Sequence, residues 1–329
     1  MRAPDFWFRP AGIISAVLAP LAWIYGAATA KRVAKPATYT APVPVICIGN
    51  INAGGTGKTP TAIAVAEVLL GAGVKPHFVT RGYGGSIQGP TRVEDQRHNA
   101  DQTGDEPLLL SAFAPTWVAK DRAEGVRAAV DAGAQVVILD DGFQNPAVKK
   151  DLNIVVVDAW HGFGNGRVIP AGPLREPVAE GLKRADLMVV IGNHKPHKPP
   201  LRFDIPTLRG HLAPLRTGMV WTDMPVLAFA GIGHPEKFFD SLRANGAKII
   251  HAEALADHQP LTPALMTRLE AEAKLRRAQM VTTEKDAVRL PASFRAKVLT
   301  FPVRLGLEDW TPLHDALAKL GFQTDQSLD

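Results

Sequence analysis

Lys58 and Thr59 close the string Gly54-Gly55-Thr56-Gly57-Lys58-Thr59, which follows the apolar run Val45-Ile46-Cys47-Ile48-Gly49. A segment rich in Ala, Val, Ile and Leu runs on from Thr61 to Leu70. Strand, glycine loop, Lys-Thr and helix, in that order, is the layout of a phosphate-binding loop. Its glycines let backbone N–H groups close around phosphate oxygens, and the helix N-terminus adds a favourable dipole. Lys58 is expected to reach the β- and γ-phosphates of a nucleoside triphosphate, and the Thr59 hydroxyl to sit on Mg²⁺. Asn52, Ala53, Gly54, Gly55, Thr56 and Gly57 are the remaining candidate nucleotide contacts. Asn52 stands where the usual pattern has glycine. The bland alternative is a glycine-rich turn with a chance Lys-Thr.

A phosphate loop needs a magnesium anchor. Four apolar residues, Val136 to Leu139, run into Asp140-Asp141, a Walker-B-like strand end whose plain alternative is a solvated turn. The receiving end of a phosphoryl transfer needs a base or an aligning group. Asp105, in Gly104-Asp105-Glu106-Pro107, suits that role and equally suits a plain helix N-cap. His258, in Asp257-His258-Gln259, is a loop histidine whose role turns on whether it meets Asp105. Such a pair, reaching across two domains, would tune a proton-accepting carboxylate; spacing does not decide it.

The elements around these residues alternate. Strands are expected over 76–81, 116–119, 135–141, 153–158 and 186–192, with helices after the phosphate loop and over 121–132. The polar stretch 86–103 reads as loop. Alternating buried strands and helices imply a doubly wound parallel α/β sheet, whose active residues collect at the carboxyl ends of strands. Residues 36–192 form that phosphate-loop domain, and the Pro-, Lys- and Arg-rich stretch 193–222 reads as a linker. His194 and His197 belong to it as solvated residues and not as metal ligands. A smaller α/β domain occupies 223–329, with an α/β unit that begins at the run 225–233 and continues in a helix from Pro235 to Asn245. The pair Gly231-x-Gly233 is a βα turn, because position 236 is Glu where a dinucleotide fingerprint needs glycine.

Residues 11–30 carry no charge and lie between Arg9 and the basic trio Lys31, Arg32 and Lys35, with Trp7, Phe8, Trp23 and Tyr25 at hand. Pro20 and the many small residues argue against a spanning helix, and a cleaved signal would put the phosphate loop outside the cell. The expectation is a membrane-associating helix over 1–35 that lies in the interface; a core-packing helix is the alternative. The formal charge of +5 fits anionic partners such as a phospholipid surface or a phosphorylated substrate. No basic block interleaved with aromatics and no zinc-finger spacing appears, so nucleic acid is not expected. Cys47 is the only cysteine, which excludes an intrachain disulfide and suits a reducing compartment.

Taken in order, several strings resemble the tetraacyldisaccharide 4′-kinases, the membrane-bound lipid A 4′-kinases of Gram-negative bacteria. They are Gly54 to Pro60, Thr80-Arg81-Gly82-Tyr83-Gly84-Gly85, Gly104 to Pro107, Asp140-Asp141-Gly142-Phe143-Gln144, Pro170 to Pro177, Asp257-His258 and Thr282 to Val288. The resemblance implies ATP- and Mg²⁺-dependent phosphorylation of the 4′-hydroxyl of a lipid A disaccharide 1-phosphate precursor at the cytoplasmic face of the inner membrane. It implies Asp105 as base assisted by His258, and Lys58 among the catalytic groups. Gln144 would join the nucleotide contacts, Glu176 the metal ligands with Asp140 and Asp141, and Tyr83, Arg122 and Arg175 the substrate contacts. No obligate protein partner is implied. Many relatives have a second His where this chain has Gln259, a change that bears on local structure. The rival reading, a partner-regulated ATPase that cycles on membranes, would favour Lys at the position of Ala53. A nucleotide-sensing scaffold without turnover would leave Asp105 dispensable.

Overall fold

The computed structural model describes residues 3–193 and 203–324, so His194 and His197 lie outside the described residues. The N-terminal segment folds as a short 3₁₀ turn, Asp5–Phe8, then α1 (Ile13–Val17) and α2 (Ala19–Val33). Pro20 does not interrupt a helix. It sits in the first turn of α2, where its missing N–H has no helical partner to lose. The face turned to the protein is made of Ser15, Ala22 and Thr29, with Leu18, Gly26 and Val33 half-buried. The large apolar side chains face outward instead, with Ile13 84%, Val17 72% and Trp23 75% exposed. No helix among the described residues is long and apolar enough to cross a membrane.

The large domain runs β1 (Val45–Gly49), α3 (Lys58–Gly71), β2 (Pro76–Thr80), β3 (Thr91–Arg92), α4 (Ala100–Thr103), α5 (Asp105–Ser111) and β4 (Thr116–Val118). It continues with α6 (Arg122–Asp131), β5 (Val136–Asp140), β6 (Leu152–Asp158), α7 (Val178–Leu182), β7 (Leu187–Ile191) and β8 (Thr207–Pro214). The smaller unit holds β9 (Pro225–Ala230), α8 (Pro235–Ala244), β10 (Lys248–Ala254), α9 (Pro263–Leu275), β11 (Gln279–Thr283), α10 (Glu284–Ala287), α11 (Ala292–Arg295) and β12 (Val298–Phe301). The chain then returns as β13 (Val303–Leu307) and α12 (Thr311–Lys319).

The large sheet has the order β13-β8-β7-β6-β1-β5-β2-β4-β3, parallel except at its two edges, and the small sheet is β10-β9-β11-β12. Period-two alternation sends Ile46 and Ile48 of β1 into a core beneath α3 and α12, and Val45 and Cys47 into the opposite core with α6. Cys47 is fully buried there, which pushes its thiol up to about 11 and leaves it a small apolar filler.

Three boundaries differ from the sequence expectation. The stretch 193–222 is not all linker, because β8 within it pairs with β7. Residues 303–319 return to the large sheet, where β13 pairs with β8 and Leu313 and Leu317 join the core around Ile46. The small domain is therefore an insertion between two strands of the large one. Within 86–103, expected as loop, β3 pairs with β4 and α4 forms under a capping box of Asn99 and Gln102.

Gly49 matters for packing. A Cβ there would collide with the Cβ of Phe143 and lie 3.3 Å from its Cα, so β1 and the Asp-Asp-Gly-Phe-Gln turn touch backbone to backbone. Gly49→Ala is expected to cost about 1–3 kcal/mol by overpacking. At roughly 2–4 °C per kcal/mol for a chain of this kind, a thermal melt should show a drop of several degrees. An unchanged Tm would mean that the turn shifts freely.

Candidate active site

The site is assembled where β1, β5 and the first turns of α3 and α5 converge. The phosphate loop leaves β1 through Asn50, whose buried amide donates to the Gly54 carbonyl (3.2 Å) and to Thr56 Oγ1 (3.1 Å). Two further bonds pin the loop from outside. Ala53 N–H donates to the Pro173 carbonyl at 2.7 Å, and Asn52 Nδ2 to the Gly162 carbonyl at 2.9 Å. Those amide groups are spent on the scaffold, so Ala53 and Asn52 shape the loop and do not offer these donors to a phosphate. Gly54 and Gly55 remain open, with nothing near the place of a Cβ. Gly57 is the N-cap of α3 at φ +97°, a conformation that glycine alone adopts freely.

Lys58 and Thr59 open α3 and meet the end of β5. Thr59 Oγ1 lies 3.4 Å from Asp140 Oδ2, and Lys58 Nζ lies 3.8 Å from Asp141 Oδ1. The two aspartates differ in kind. Asp140 is buried and its Oδ1 has no hydrogen-bond partner. Burial pushes its carboxyl up to about 7 against the pull of Lys58, with Asp141 adding repulsion. Asp141, at φ +57°, turns back to accept from Arg175 Nη1 (2.8 Å) and Nη2 (3.2 Å). Desolvation opposes its charge, but Lys58 and Arg175 outweigh that and hold it below the usual carboxylate range.

Gln144 is a bracket beneath the loop. Its amide donates to the Asn50 carbonyl (2.8 Å) and to Glu176 Oε1 (2.9 Å), and its oxygen accepts from Arg175 Nη1 at 3.2 Å. Both oxygens of Glu176 accept from Arg184 Nη2 at 2.9 Å. This buried carboxylate is held by Arg184 and Gln144. Arg122, the expected substrate contact, is held from within the large domain. It is 3% exposed, donates to the Ala119 carbonyl at 2.8 Å, and acts on the two aspartates through its charge.

Asp105 is the first residue of α5 and caps nothing with its side chain; Gly104, at φ +87°, is the N-cap. The carboxylate, 6% exposed, points instead to the small domain, where Asp105 Oδ2 lies 2.8 Å from His258 Nδ1. The hydrogen bond to Asp105 raises the His258 pKa above its ordinary value, against burial and Lys285. His258 sits at φ +57° in a turn whose backbone N–H donates to the Gly231 carbonyl at 3.1 Å.

The string Thr282 to Val288 builds the platform for that turn. Thr283 caps α10, and the fully buried Asp286 accepts from Gly231 N–H at 3.1 Å and pairs with Arg289. Arg289 in turn donates to the carbonyls of Gln259 and Gly231, and its Nε lies 3.3 Å from Asp105 Oδ2. Lys285 bridges Glu106 (2.9 Å) and the outer nitrogen of His258 (3.3 Å). Sequence reasoning gave Lys285, Glu106 and Arg289 no role; the only available signal was their place in or beside unusual strings. Tyr83 is 77% exposed, on a loop whose Gly82 and Gly85 abut the backbone of Thr103 at the start of α5.

Oxygen donors, one open buried carboxylate and a neighbouring hydroxyl suit a hard dication that keeps waters and phosphate oxygens as its other ligands. Among the described residues no cluster of three or more His, Cys, Asp or Glu could hold a metal by itself.

A family profile described as Tetraacyldisaccharide-1-P 4'-kinase matches residues 14–321. A curated relative from Jannaschia sp., named Tetraacyldisaccharide 4'-kinase, is 61% identical over 328 residues, covering 97% of this chain and 99% of its own. A relative of the same name from Dinoroseobacter shibae is 57% identical over 332 residues, covering 97% of this chain and 98% of its own. Among solved structures, LpxK from Aquifex aeolicus in complex with ATP aligns at a TM-score of 0.77 with 24% identity, covering 94% of this chain and 99% of that one. At that identity the likeness shows a shared fold.

Proposed function

The chain belongs to the tetraacyldisaccharide-1-P 4′-kinase family, and from that membership we infer that it transfers the γ-phosphate of ATP to the 4′-hydroxyl of tetraacyldisaccharide 1-phosphate in lipid A biosynthesis. The observation that carries the mechanism is the Asp105–His258 contact, a buried carboxylate held by a small-domain histidine. In this reading Asp105 accepts the proton of the 4′-hydroxyl as its oxygen bonds to the γ-phosphorus. The bond from that phosphorus to the β,γ-bridging oxygen breaks, and ADP keeps the electron pair. His258 orients Asp105. Lys58 balances charge on the β- and γ-phosphates.

Thr59 and Asp140 are the residues that would hold Mg²⁺, with Asp141 turned away to Arg175. When bound, the ion would supply positive charge against the negative charge that develops on the transferred phosphoryl group. In this reading Arg175, which clamps Asp141, and Tyr83, an exposed ring, are the acceptor contacts.

The test is transfer of γ-labelled phosphate from ATP to the disaccharide 1-phosphate in detergent micelles. Labelled lipid is expected. ATP hydrolysis without labelled lipid would sink the kinase reading in favour of a partner-driven ATPase, which Ala53 already disfavours.

The acceptor's acyl chains hold it in a bilayer at about 0.8 kcal/mol per buried CH₂, so the enzyme works at the interface. The outward apolar side of α1 and α2 supports docking on the cytoplasmic face of the inner membrane. The triple variant Val17→Ser, Trp23→Ser, Ile24→Ser should lose roughly a hundredfold in partition to phospholipid vesicles, at about 1 kcal/mol per side chain. Wild-type flotation by the triple variant would refute docking by this face.

A further inference from the structure

The two domains are joined covalently at one end only, where β8 leads to β9 and β12 leads through Pro302 to β13. Arg304 of β13 fastens that end, pairing with Glu284 of α10 at 2.9 Å and lying 3.4 Å from Glu67 of α3. Away from it, one contact between the domains is Asp105–His258. Arg289–Asp105 and Lys285–Glu106 lie beside it, and contacts confined to that one flank leave the small domain able to roll about the line joining them to the hinge.

A second contact lies on the other flank of β1. Asp158 ends β6, the neighbour of β1 on the side away from β5. Its Oδ1 accepts from the His161 backbone N–H (2.9 Å) and faces His161 Nδ1 (3.0 Å). Its Oδ2 accepts from Lys237 Nζ of α8 at 3.0 Å. The His161 ring lies against His234, the N-cap of α8, with centroids 5.2 Å apart and planes within 20°. On the other side Phe8 meets the same ring at 4.4 Å. Phe8 is itself fixed, because Trp7 donates to the Pro170 carbonyl (3.0 Å) and Asn165 N–H donates to the Trp7 carbonyl (2.7 Å). The stack Phe8–His161–His234 thus runs from the N-terminal segment through the large domain into the small one.

We propose that Asp158–Lys237 and the Phe8–His161–His234 stack form a second interdomain pin that positions His258 on Asp105. The two pins straddle the phosphate loop, and together with the hinge they fix the small domain at three points. Asp158, His161, His234 and Lys237 are positioning residues: they act on the reaction through the place they give His258. Phe8 makes the N-terminal segment part of the same closed arrangement, so the element read as docking to lipid also bears on catalysis. The inference rests on the kinase reading for its catalytic consequence and on geometry alone for the closure.

The test uses the full chain. Cys47 is buried, so dyes placed on introduced cysteines at two exposed sites, Lys149→Cys in the large domain and Leu275→Cys in the small one, report the distance between domains. Lys237→Met, at a side chain 60% exposed, should fold normally yet shift and broaden the energy-transfer distribution. It should lower kcat by about tenfold through misplacement of the carboxylate, with KM for ATP changed far less. Asp158→Asn should do the same, and the double variant should be no worse than either single one. Phe8→Ala should lower kcat by about threefold in micelles while vesicle flotation stays at the wild-type level. A Lys237→Met protein with wild-type kcat and an unshifted distance distribution would overturn the pin, as would multiplicative losses in the double variant. If no lipid is phosphorylated by the wild type, the kinase reading fails, while the distance measurement still decides the pin.

Discussion

Asp105→Ala should leave labelled-phosphate transfer at roughly one thousandth of the wild-type kcat, the usual scale for removing a positioned general base. Binding of ATP should change little, because the proposed nucleotide contacts lie in the loop from Gly54 to Thr59 and do not include Asp105. The pH profile separates this role from a structural one. The His258 pKa is raised by its hydrogen bond to Asp105, so the charged pair is fully present below the ordinary histidine value of about 6.5. It is lost as pH rises through the elevated value in the folded protein. Wild-type kcat should therefore fall on the alkaline side, and His258→Gln should be slower and lack that limb. Full activity of Asp105→Ala would remove Asp105 from the chemistry and support a scaffold without turnover. An alkaline limb that survives in His258→Gln would assign the titration to another group.

Asp140→Asn is expected to abolish transfer and yet stabilise the apo protein. Losing the open carboxylate that would hold Mg²⁺ should cost several kcal/mol of transition-state stabilisation, on the order of a thousandfold in kcat. Stability moves the other way. Burial raises the Asp140 pKa to about 7, well above the ordinary aspartate value of 3.8. The folded state then binds more protons than the unfolded one between those values, so stability falls as pH rises across that window. At pH 8 the buried charge costs on the order of a few kcal/mol, and an amide relieves it. Thermal melts in a chelator should show Asp140→Asn above wild type at pH 8 and level with it near pH 4. A lower Tm at pH 8 would show that Lys58 already compensates the charge.

Much of this was readable in the residues. The glycine loop with Lys58-Thr59 and the apolar run into Asp140-Asp141 have fixed spacing and fixed neighbours, so their places in the sheet follow from period and turn chemistry. Contacts across the chain were legible only in part. Asp105 and His258 are separated by 153 positions, and their meeting depends on a domain interface that no local pattern encodes. For Glu176 and Arg122 the sequence shows a charged residue near an active string, but neither its burial nor its partner. Arg184 supplies the partner of Glu176 from the turn after α7, eight residues on. The strand β8 escaped notice because Thr207-Leu208-Arg209-Gly210-His211 alternates weakly, as suits a strand near a sheet edge. The return of β13 could not be inferred at all, since short apolar runs do not announce which sheet they join.

That return bears on how the protein comes into being. Domains generally fold as units while the chain emerges from the ribosome, N-terminal parts first. Here the apolar segment Ile13–Val33 emerges early, whereas the large sheet waits for Val303–Leu307 and the core beneath it for Leu313 and Leu317. Nearly the whole chain must be synthesised before the phosphate loop rests on a finished core. The apolar segment is thus clear of the ribosome well before the phosphate loop has a finished core beneath it. Cutting the chain after Phe301 would not yield a smaller kinase that lacks a tail; it would leave the catalytic domain open along one edge.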